Sequence, residues 1–437
     1  MLQSQSTCVP YVYKIGNVGG ARMSFLDAAS GSVRSSSPVV SQRDLPLGSF
    51  SLSLSLSLCV CVCVCVCVCG CGRWDTWDSP ADSVSRSEPI EIRPVVSALI
   101  PMAVRDVEWI ERLIQPPATG KLSSSYCLHL LRVHGLAEHL DHGEFPSGAA
   151  LLELLLDAAK ATGHFGQSTL IQTRYGVRFP AAARSVRDPS MEVHQDQTLA
   201  TLAELGIPLP YPLSVGGRTQ TVRDALSDSL ANFSLDQEEL SWTALAYALY
   251  LPPSKGWTNR YGEGYSFNEL ADALMASRLE KASCGGVHVA HALTILKRVD
   301  RDWRVLSDGT RMRIGAWLRT FRDAALRAQD PEGFWRLGTI GVDDAKRDGW
   351  TPPDSAANRI LMTGHLTEWM LHLPRDLQVP SEVLVNAGMW LYRELRAASP
   401  EAMQRDVCPY SHAVCALRLL AYSLPDQIVT LTTMAAR

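Results

Sequence analysis

From about residue 101 onward, hydrophobic residues recur at three- and four-residue spacing, and proline, glycine and polar stretches separate the runs. This periodicity is typical of amphipathic α-helices. It predicts twelve helices, at residues 104–114, 124–140, 147–162, 191–205, 221–232, 236–251, 266–276, 285–299, 307–328, 356–373, 381–397 and 411–423. Only residues 169–178 have the composition of a strand, so the pattern predicts an all-α fold.

The predicted helices alternate between two kinds along the chain. The odd-numbered ones carry charged faces, as residues 307–328 do, whereas the even-numbered ones are more apolar all round, as in residues 242–250 and 289–296. A helix without a polar face is usually buried. Residues 101–437 are therefore predicted to form an α/α toroid of about six helical hairpins, with six inner and six outer helices. An open superhelix of helical pairs is the main alternative, but its repeats would be more evenly spaced.

The first 100 residues have a different character from the rest. A Ser-Leu repeat is followed directly by a Cys-Val repeat, and together they fill residues 51–71. Such low complexity is typical of a segment without a fixed fold, and it predicts a disordered leader at 1–100 ahead of the body at 101–437. In the alternative interpretation, the charge-free stretch 52–68 spans or inserts into a membrane. Without that membrane segment, a cytoplasmic location is favoured.

Charge and cysteine content narrow the classes of function. The chain has 41 Lys and Arg against 45 Asp and Glu, and this balance argues against a nucleic-acid partner, which would require a basic surplus. Eight of the twelve cysteines lie in the first 100 residues, and the other four are scattered, so no disulfide framework is predicted. Gly-rich phosphate loops and dinucleotide-binding fingerprints are missing as well, which leaves hydride and phosphoryl transfer without support.

Histidines recur near the starts of the apolar helices. Five of these six helices carry one, namely His129, His194, His288, His365 and His412, while the sixth opens with the acidic run 236–239. Inner helices of a toroid run parallel, so we expect these groups to meet at one mouth of the ring. Helix N-termini there would favour an anionic ligand and would lower the pKa of the imidazoles. The alternative is that each histidine is an ordinary buried residue with a hydrogen-bond partner.

Three sets of candidate site residues follow from this arrangement. The catalytic candidates are His365, Glu368, His194 and Glu239. The candidate substrate contacts are His129, together with Arg174, Tyr175 and Trp335 from long loops expected at the same end. The candidate metal ligands are Cys284, His288, Cys408 and His412, which form two Cys-x3-His pairs of a kind that Zn²⁺ accepts.

One local motif resembles a known family. Residues 329–335, Gln-Asp-Pro-Glu-Gly-Phe-Trp, fit the pattern Gln-x3-Gly-x-Trp, which is similar to the repeat motif of squalene and hopene cyclases. The resemblance implies an α/α toroid in which the Gln bonds helix-end groups and the Trp stacks. Protein prenyltransferases and lanthionine cyclases are similar toroids with Cys/His metal sites. The chain departs from the cyclases in having one copy of the motif and Val342-Asp343-Asp344 in place of Asp-x-Asp-Asp.

Two classes of function remain open from the sequence. The first is an enzyme of the cyclase, lyase or hydrolase type that acts on an anionic or isoprenoid-like substrate, either a small molecule or an oligosaccharide. The second is a non-catalytic binding or scaffold protein that uses the helical ring as a rigid platform. Metal analysis of the purified protein is the measurement that best distinguishes the enzyme from the scaffold.

Overall fold

The computed structural model describes residues 81, 85–95, 109–110, 112–117, 120–137, 139–182, 188–279, 282–338, 340 and 354–421. The chain divides into two compact units, and all of these residues belong to the unit formed by Met1–Val12 and Ser79–Arg437. The Ser-Leu and Cys-Val repeats and most of the first predicted helix lie outside the described residues. So do Val342, Asp343 and Asp344.

The described part of the chain is mostly helical, which confirms the all-α prediction. Its thirteen α-helices are α1 (Ser124–His134), α2 (Gly148–Leu156), α3 (Ala158–Phe165), α4 (Gln197–Glu204), α5 (Val222–Asn232), α6 (Ser241–Tyr250), α7 (Phe267–Ala276), α8 (Val287–Trp303), α9 (Asp308–Ala328), α10 (Ala356–His372), α11 (Ser381–Ala397), α12 (Pro400–Arg405) and α13 (Val407–Ala421). Short 3-10 turns at Ser283–Gly286 and Arg375–Leu377 precede α8 and α11.

Three small antiparallel hairpins interrupt the helices. They are formed by β1 (Ile171–Gln172) with β2 (Val177–Arg178), β3 (Pro212–Val215) with β4 (Arg218–Thr221), and β5 (Gly256–Thr258) with β6 (Gly264–Ser266). In the first hairpin, Ile171 pairs with Arg178. The predicted strand at 169–178 is thus two strands joined by a turn.

Capping explains several helix bounds. The predicted capping box at Ser266 is present, because the Ser266 hydroxyl accepts from Glu269 N and the Glu269 carboxylate accepts from Ser266 N. The predicted helix at 147–162 is instead two helices, since the Asp157 side chain accepts from Ala159 N and starts a new one. The last helix begins earlier than the predicted residue 411, because α13 begins at Val407, soon after α12 ends at Arg405.

Six helices pack successively against one another. In this series α1 contacts α4, α4 contacts α6, α6 contacts α8, α8 contacts α10, α10 contacts α13, and α13 contacts α1. These are the helices that the sequence predicted to be apolar and buried. Every residue of α6 is buried, whereas α9 buries only one face. The predicted alternation of buried and partly exposed helices holds for α6 and α9 but not for α5, in which eight of the eleven residues are buried.

An extended segment at residues 85–95 packs against the ends of two helices. Backbone N–H groups of Arg86 and Ile90 donate to the carbonyls of Tyr250 and Leu249, and Val95 N donates to Leu371 O. The last carbonyls of a helix have no partner inside the helix, so an extended chain can bond to them. The prediction that residues 1–100 do not pack on the helical body is therefore wrong for this segment.

None of the helices among the described residues combines the length and the apolar character needed to cross a bilayer. The predicted membrane stretch 52–68 lies outside the described residues.

Candidate functional site

A group of buried histidines and glutamates lies among the six successively packed helices. This histidine cluster consists of His129 on α1, His194 ahead of α4, Glu239 ahead of α6, His288 on α8, His365 and Glu368 on α10, and His412 on α13. All five histidines are buried, with exposed fractions from 0% for His412 to 7% for His194.

The five imidazoles form a continuous series of ring contacts. Ring centroids lie 5.9 Å apart for His129 and His412, and 3.5 Å apart for His412 and His365. The distance is 5.5 Å both between His365 and His288 and between His288 and His194. The predicted convergence of the five histidines is therefore confirmed.

A glycine allows the closest of these contacts. A Cβ atom added to Gly364 on α10 would lie 2.7 Å from the carbonyl carbon of His412 on α13. Such a separation is far shorter than a van der Waals contact, so only glycine lets the two helix backbones approach this closely. The approach brings His365, the next residue, beside His412.

The cluster lies in the interior and not at a mouth. His365 is nine residues beyond the first residue of α10, which is about 14 Å along the helix axis. His129 and His412 also lie beyond the first turn of their helices. The prediction that helix N-termini surround all five histidines is wrong for His129, His365 and His412, whereas His194 and His288 lie at the starts of α4 and α8.

Burial sets the protonation of the cluster. It lowers the pKa of His129 to about 3 and that of His288 to about 4, and it lowers the pKa of His365 well below the ordinary value. Burial alone would raise the pKa of Glu239, but His194 and His288 beside it lower the value overall. At neutral pH these three imidazoles are uncharged and Glu239 is ionised, and these are the forms that bind metal ions.

Two carboxylates orient three of the imidazoles. Glu239 accepts hydrogen bonds from Nδ1 of His194 and, at 3.2 Å, from Nδ1 of His288. Glu368 accepts from Nδ1 of His412 at 2.7 Å. An ionised carboxylate only accepts, so the hydrogen of each imidazole is on Nδ1 and Nε2 keeps its lone pair. Histidines that ligate metals are commonly held by a carboxylate in this way.

Several imidazole nitrogens in the cluster are buried without a hydrogen bond. Among the described residues, no partner lies within hydrogen-bond distance of Nε2 of His129, His288 or His365. Leaving a buried polar atom unpaired costs about 1–3 kcal/mol, so each such atom requires an explanation. A bound ion among these nitrogens supplies one.

The ligand atoms fall into three overlapping groups. Within each group the atoms lie no more than 4.8 Å apart, and the groups are Cys284 with His288 and His365, His194 with Glu239 and His288, and His365 with Glu368 and His412. Cys284 and Cys408, two of the predicted metal ligands, also lie together with Leu361 in an apolar patch. Burial raises the pKa of the Cys284 thiol well above its ordinary value, which keeps it neutral. Cys408 belongs to none of these groups, so the two predicted Cys-x3-His pairs are not equivalent.

Three predicted substrate contacts lie away from the cluster. Arg174 and Tyr175 are on the turn between β1 and β2, where the guanidinium of Arg260 packs over the Tyr175 ring at 5.3 Å. Trp335 is fully buried, and its indole Nε1 donates to Ala325 O at the end of α9. His129 is the only one of the four predicted contacts that the structure brings into the described cluster.

A small cavity beside the cluster contains residues that the sequence analysis missed. It is lined by His288, His365 and Glu368, and also by Arg132, Trp242, His291 and Trp369. Arg132 on α1 forms a buried ion pair with Glu204 on α4. A charged residue within the apolar run of α1, three residues after His129, was the signal that could have identified it.

Comparison with known proteins gives no relative from which to infer a function. The chain matches no family model, no curated protein and no solved structure.

Proposed function

We propose that the six successively packed helices form the inner ring of an α/α toroid. The contacts from α1 through α4, α6, α8, α10 and α13 back to α1 support this arrangement. The similarity of residues 329–335 to the squalene and hopene cyclase motif supports it as well. Gln329 Nε2 donates to Gly333 O and to Val383 O near the start of α11, which is the helix-end bonding that the resemblance implies.

Within this ring, we propose that the protein is a metal-dependent enzyme with its catalytic centre at the histidine cluster. The observation that carries the proposal is the set of buried, uncharged imidazoles whose Nε2 atoms have no partner among the described residues. Glu239 bonds Nδ1 of His288, the ring nitrogen opposite its unpartnered Nε2, and so holds that imidazole in the form that ligates. Folding alone gives no reason to leave these nitrogens unpaired.

Two of the ligand groups share no residue. They are His194 with Glu239 and His288, and His365 with Glu368 and His412, so the cluster offers ligands for two ions. Ligation by Glu239 and Glu368 would replace the hydrogen bonds that they accept from the imidazole Nδ1 atoms. Two histidines and one glutamate form the ligand set of many catalytic zinc sites, in which a fourth position remains open for water or substrate. A divalent cation so held supplies a Lewis acid and lowers the pKa of bound water towards 7, which suits hydrolysis or a lyase reaction.

The same ligand set also binds Fe²⁺ in oxygenases, where two histidines and one carboxylate occupy one face of the metal. The metal found in the purified protein distinguishes the two chemistries. A non-catalytic scaffold is the remaining alternative, and it predicts that the cluster binds no metal.

The test is metal binding by the purified full-length chain. After treatment with a chelator, Zn²⁺ is added back, bound metal is measured by mass spectrometry, and affinity is measured by calorimetry. We expect one to two Zn²⁺ per chain and, at a free concentration 100 times Kd, about 2.7 kcal/mol of added stability. His288→Gln should weaken binding strongly, because His288, like His365, belongs to two of the three ligand groups.

The matched control is His139→Gln, which removes an imidazole whose side chain is 79% exposed and which lies beyond the end of α1, in an isolated β-bridge with Ser147. It should leave Zn²⁺ affinity unchanged. Equal Zn²⁺ binding by the wild type and His288→Gln would contradict the proposed site. Absence of any bound divalent metal would favour the scaffold alternative.

A further inference from the structure

The guanidinium of Arg132 is buried beside the histidine cluster with part of its hydrogen-bonding capacity unused. Its side chain is only 2% exposed, and Nη2 donates to Glu204 Oε2. Among the described residues, Nε and Nη1 have no hydrogen-bond partner. A buried arginine almost always satisfies its donors, and donors that face a cavity await a ligand or a water molecule.

Arg132 is held rigidly in place. The ring of Trp242 packs against the guanidinium, with 4.9 Å from Arg132 Cζ to the ring centroid. Together with the ion pair to Glu204, this contact fixes the orientation of the group. A fixed donor loses little conformational entropy when it binds a ligand, and so it binds one more tightly than a flexible side chain would.

The cavity in front of Arg132 joins it to the proposed metal ligands. Arg132, His288, His365 and Glu368 all line this space, which measures about 20 Å³. A space of this size accommodates roughly one or two water-sized groups. The remaining walls of the cavity, which include Trp242, are largely apolar. The cavity therefore suits one small polar group of a ligand, surrounded by apolar side chains.

Charge decides which ligand fits. Arg132 is the cation of the cavity wall, and Glu204 and Glu368 are the nearby carboxylates. The positive charge of divalent cations bound at the histidine cluster would exceed the negative charge of these carboxylates. The metal-loaded cavity would then attract an anion. The unused donors of Arg132 then require an acceptor, which an anionic oxygen supplies.

We propose that Arg132 binds an anionic oxygen group of the substrate, a carboxylate or an oxyanion of similar size, beside the metal ligands. This inference rests on the proposed metal-dependent function and names its substrate class. Arg132 acts as a binding residue that places the anion against the wall formed by His288, His365 and Glu368. Phosphate is larger than acetate, so it should bind more weakly in so small a space.

The test is titration of the Zn²⁺-loaded full-length chain with sodium acetate, by calorimetry, with sodium chloride at matched ionic strength as reference and sodium phosphate as the larger anion. Arg132→Lys keeps the positive charge but loses the planar group, and it should weaken acetate binding at least tenfold. Arg178→Lys is the matched control, since Arg178 lies outside this cavity and is paired with Asp228. It should bind acetate as the wild type does.

A second variant keeps the test valid if Arg132→Lys does not fold. Ala292→Val adds two methyl groups to the cavity wall without changing Arg132, and it should also weaken acetate binding. Acetate binding that is unchanged in both variants, or undetectable in the wild type, would overturn the proposal and leave Arg132 to a bound water molecule.

The two proposals fail separately, because bound Zn²⁺ is measured in the same samples. If the chain binds no metal, the proposed function fails, and acetate titration of the metal-free chain decides the assignment of Arg132. Arg132-dependent binding there supports the anion site, and lack of binding overturns it.

Discussion

Two buried polar regions include residues of the segment that precedes α4, and they differ in how completely their polar atoms are paired. One is the histidine cluster, to which the segment contributes His194. The other, here called the carboxylate cluster, consists of Glu192, Asp196 and Asp228. Both are built from side chains that are costly to bury.

Each carboxylate of the second region has donors. Glu192 accepts from the backbone N–H groups of Gln197 and Thr198 at the start of α4. Asp196 accepts from the hydroxyls of Ser229 and Thr243, and these bonds join α5 and α6 to the segment. Asp228 accepts from Arg178 and Thr173.

The histidine cluster is different, because Nε2 of His129, His288 and His365 has no partner among the described residues. The two regions illustrate two roles of buried polar groups, namely stabilising the fold and binding a ligand. A polar group that folding requires is matched by donors or acceptors from neighbouring elements. A group that binds a ligand keeps a lone pair unused in the protein alone. The carboxylate cluster is therefore expected to hold the fold, and the histidine cluster to bind.

The largest effect on stability should come from Asp228→Ala. The substitution leaves the Thr173 hydroxyl and the Arg178 guanidinium without their shared acceptor, and it should lower the free energy of unfolding by about 3 kcal/mol. Urea denaturation measures this loss. The Zn²⁺ affinity of the folded variant should stay at the wild-type value. A large drop in affinity would contradict the assignment of separate roles to the carboxylate cluster and the histidine cluster.

A smaller loss is expected for Thr243→Val, which changes shape little. Thr243 Oγ1 donates to Asp196 and accepts from Gln237 Nε2, at 2.6 Å in each case. Both partners keep one other hydrogen bond, so the loss should be about 1–2 kcal/mol in the same denaturation experiment. A change below the measurement error would mean that the carboxylate cluster contributes little to folding.

The smallest change in stability is expected for His365→Leu in the metal-free chain. Leucine removes an unpaired buried nitrogen at similar volume, so stability should rise by about 1 kcal/mol or remain unchanged. Zn²⁺ binding should fall strongly in the same variant, as measured by calorimetry. A loss of several kcal/mol with normal Zn²⁺ binding would show that His365 serves the fold.

Much of the helical pattern could be predicted from the sequence, and α11 occupies the predicted residues 381–397. The histidines stand out in the sequence because they interrupt apolar helices. Their proximity in the folded chain could therefore be predicted as well. The position of His365 in the middle of α10 could not be predicted. Hydrophobic periodicity identifies the buried face of a helix but not the turn at which a neighbouring helix crosses it. The pairing of Arg132 with Glu204 depends on the approach of α1 to α4, which no local signal encodes.

The segment at 85–95 shows a further limit of sequence reasoning. Its composition resembles that of the preceding leader, and nothing in its own residues indicates that it bonds to the ends of α6 and α10. The acceptors are helix-terminal carbonyls, and these become available only when the helices have assembled. The low complexity of residues 51–71 therefore led to a predicted leader that is too long.

The burial of His412 and His365 affects how fast a bound metal ion would exchange with solution. Side chains with almost no exposure leave an ion only the narrow cavity lined by His365 as a path, so exchange would be slow unless α10 and α13 separate locally. Loading of the folded chain would be slow, and an ion once bound would outlast many rounds of chemistry. Its residence time would be governed by the frequency of local opening and would depend little on the strength of its bonds to nitrogen and oxygen.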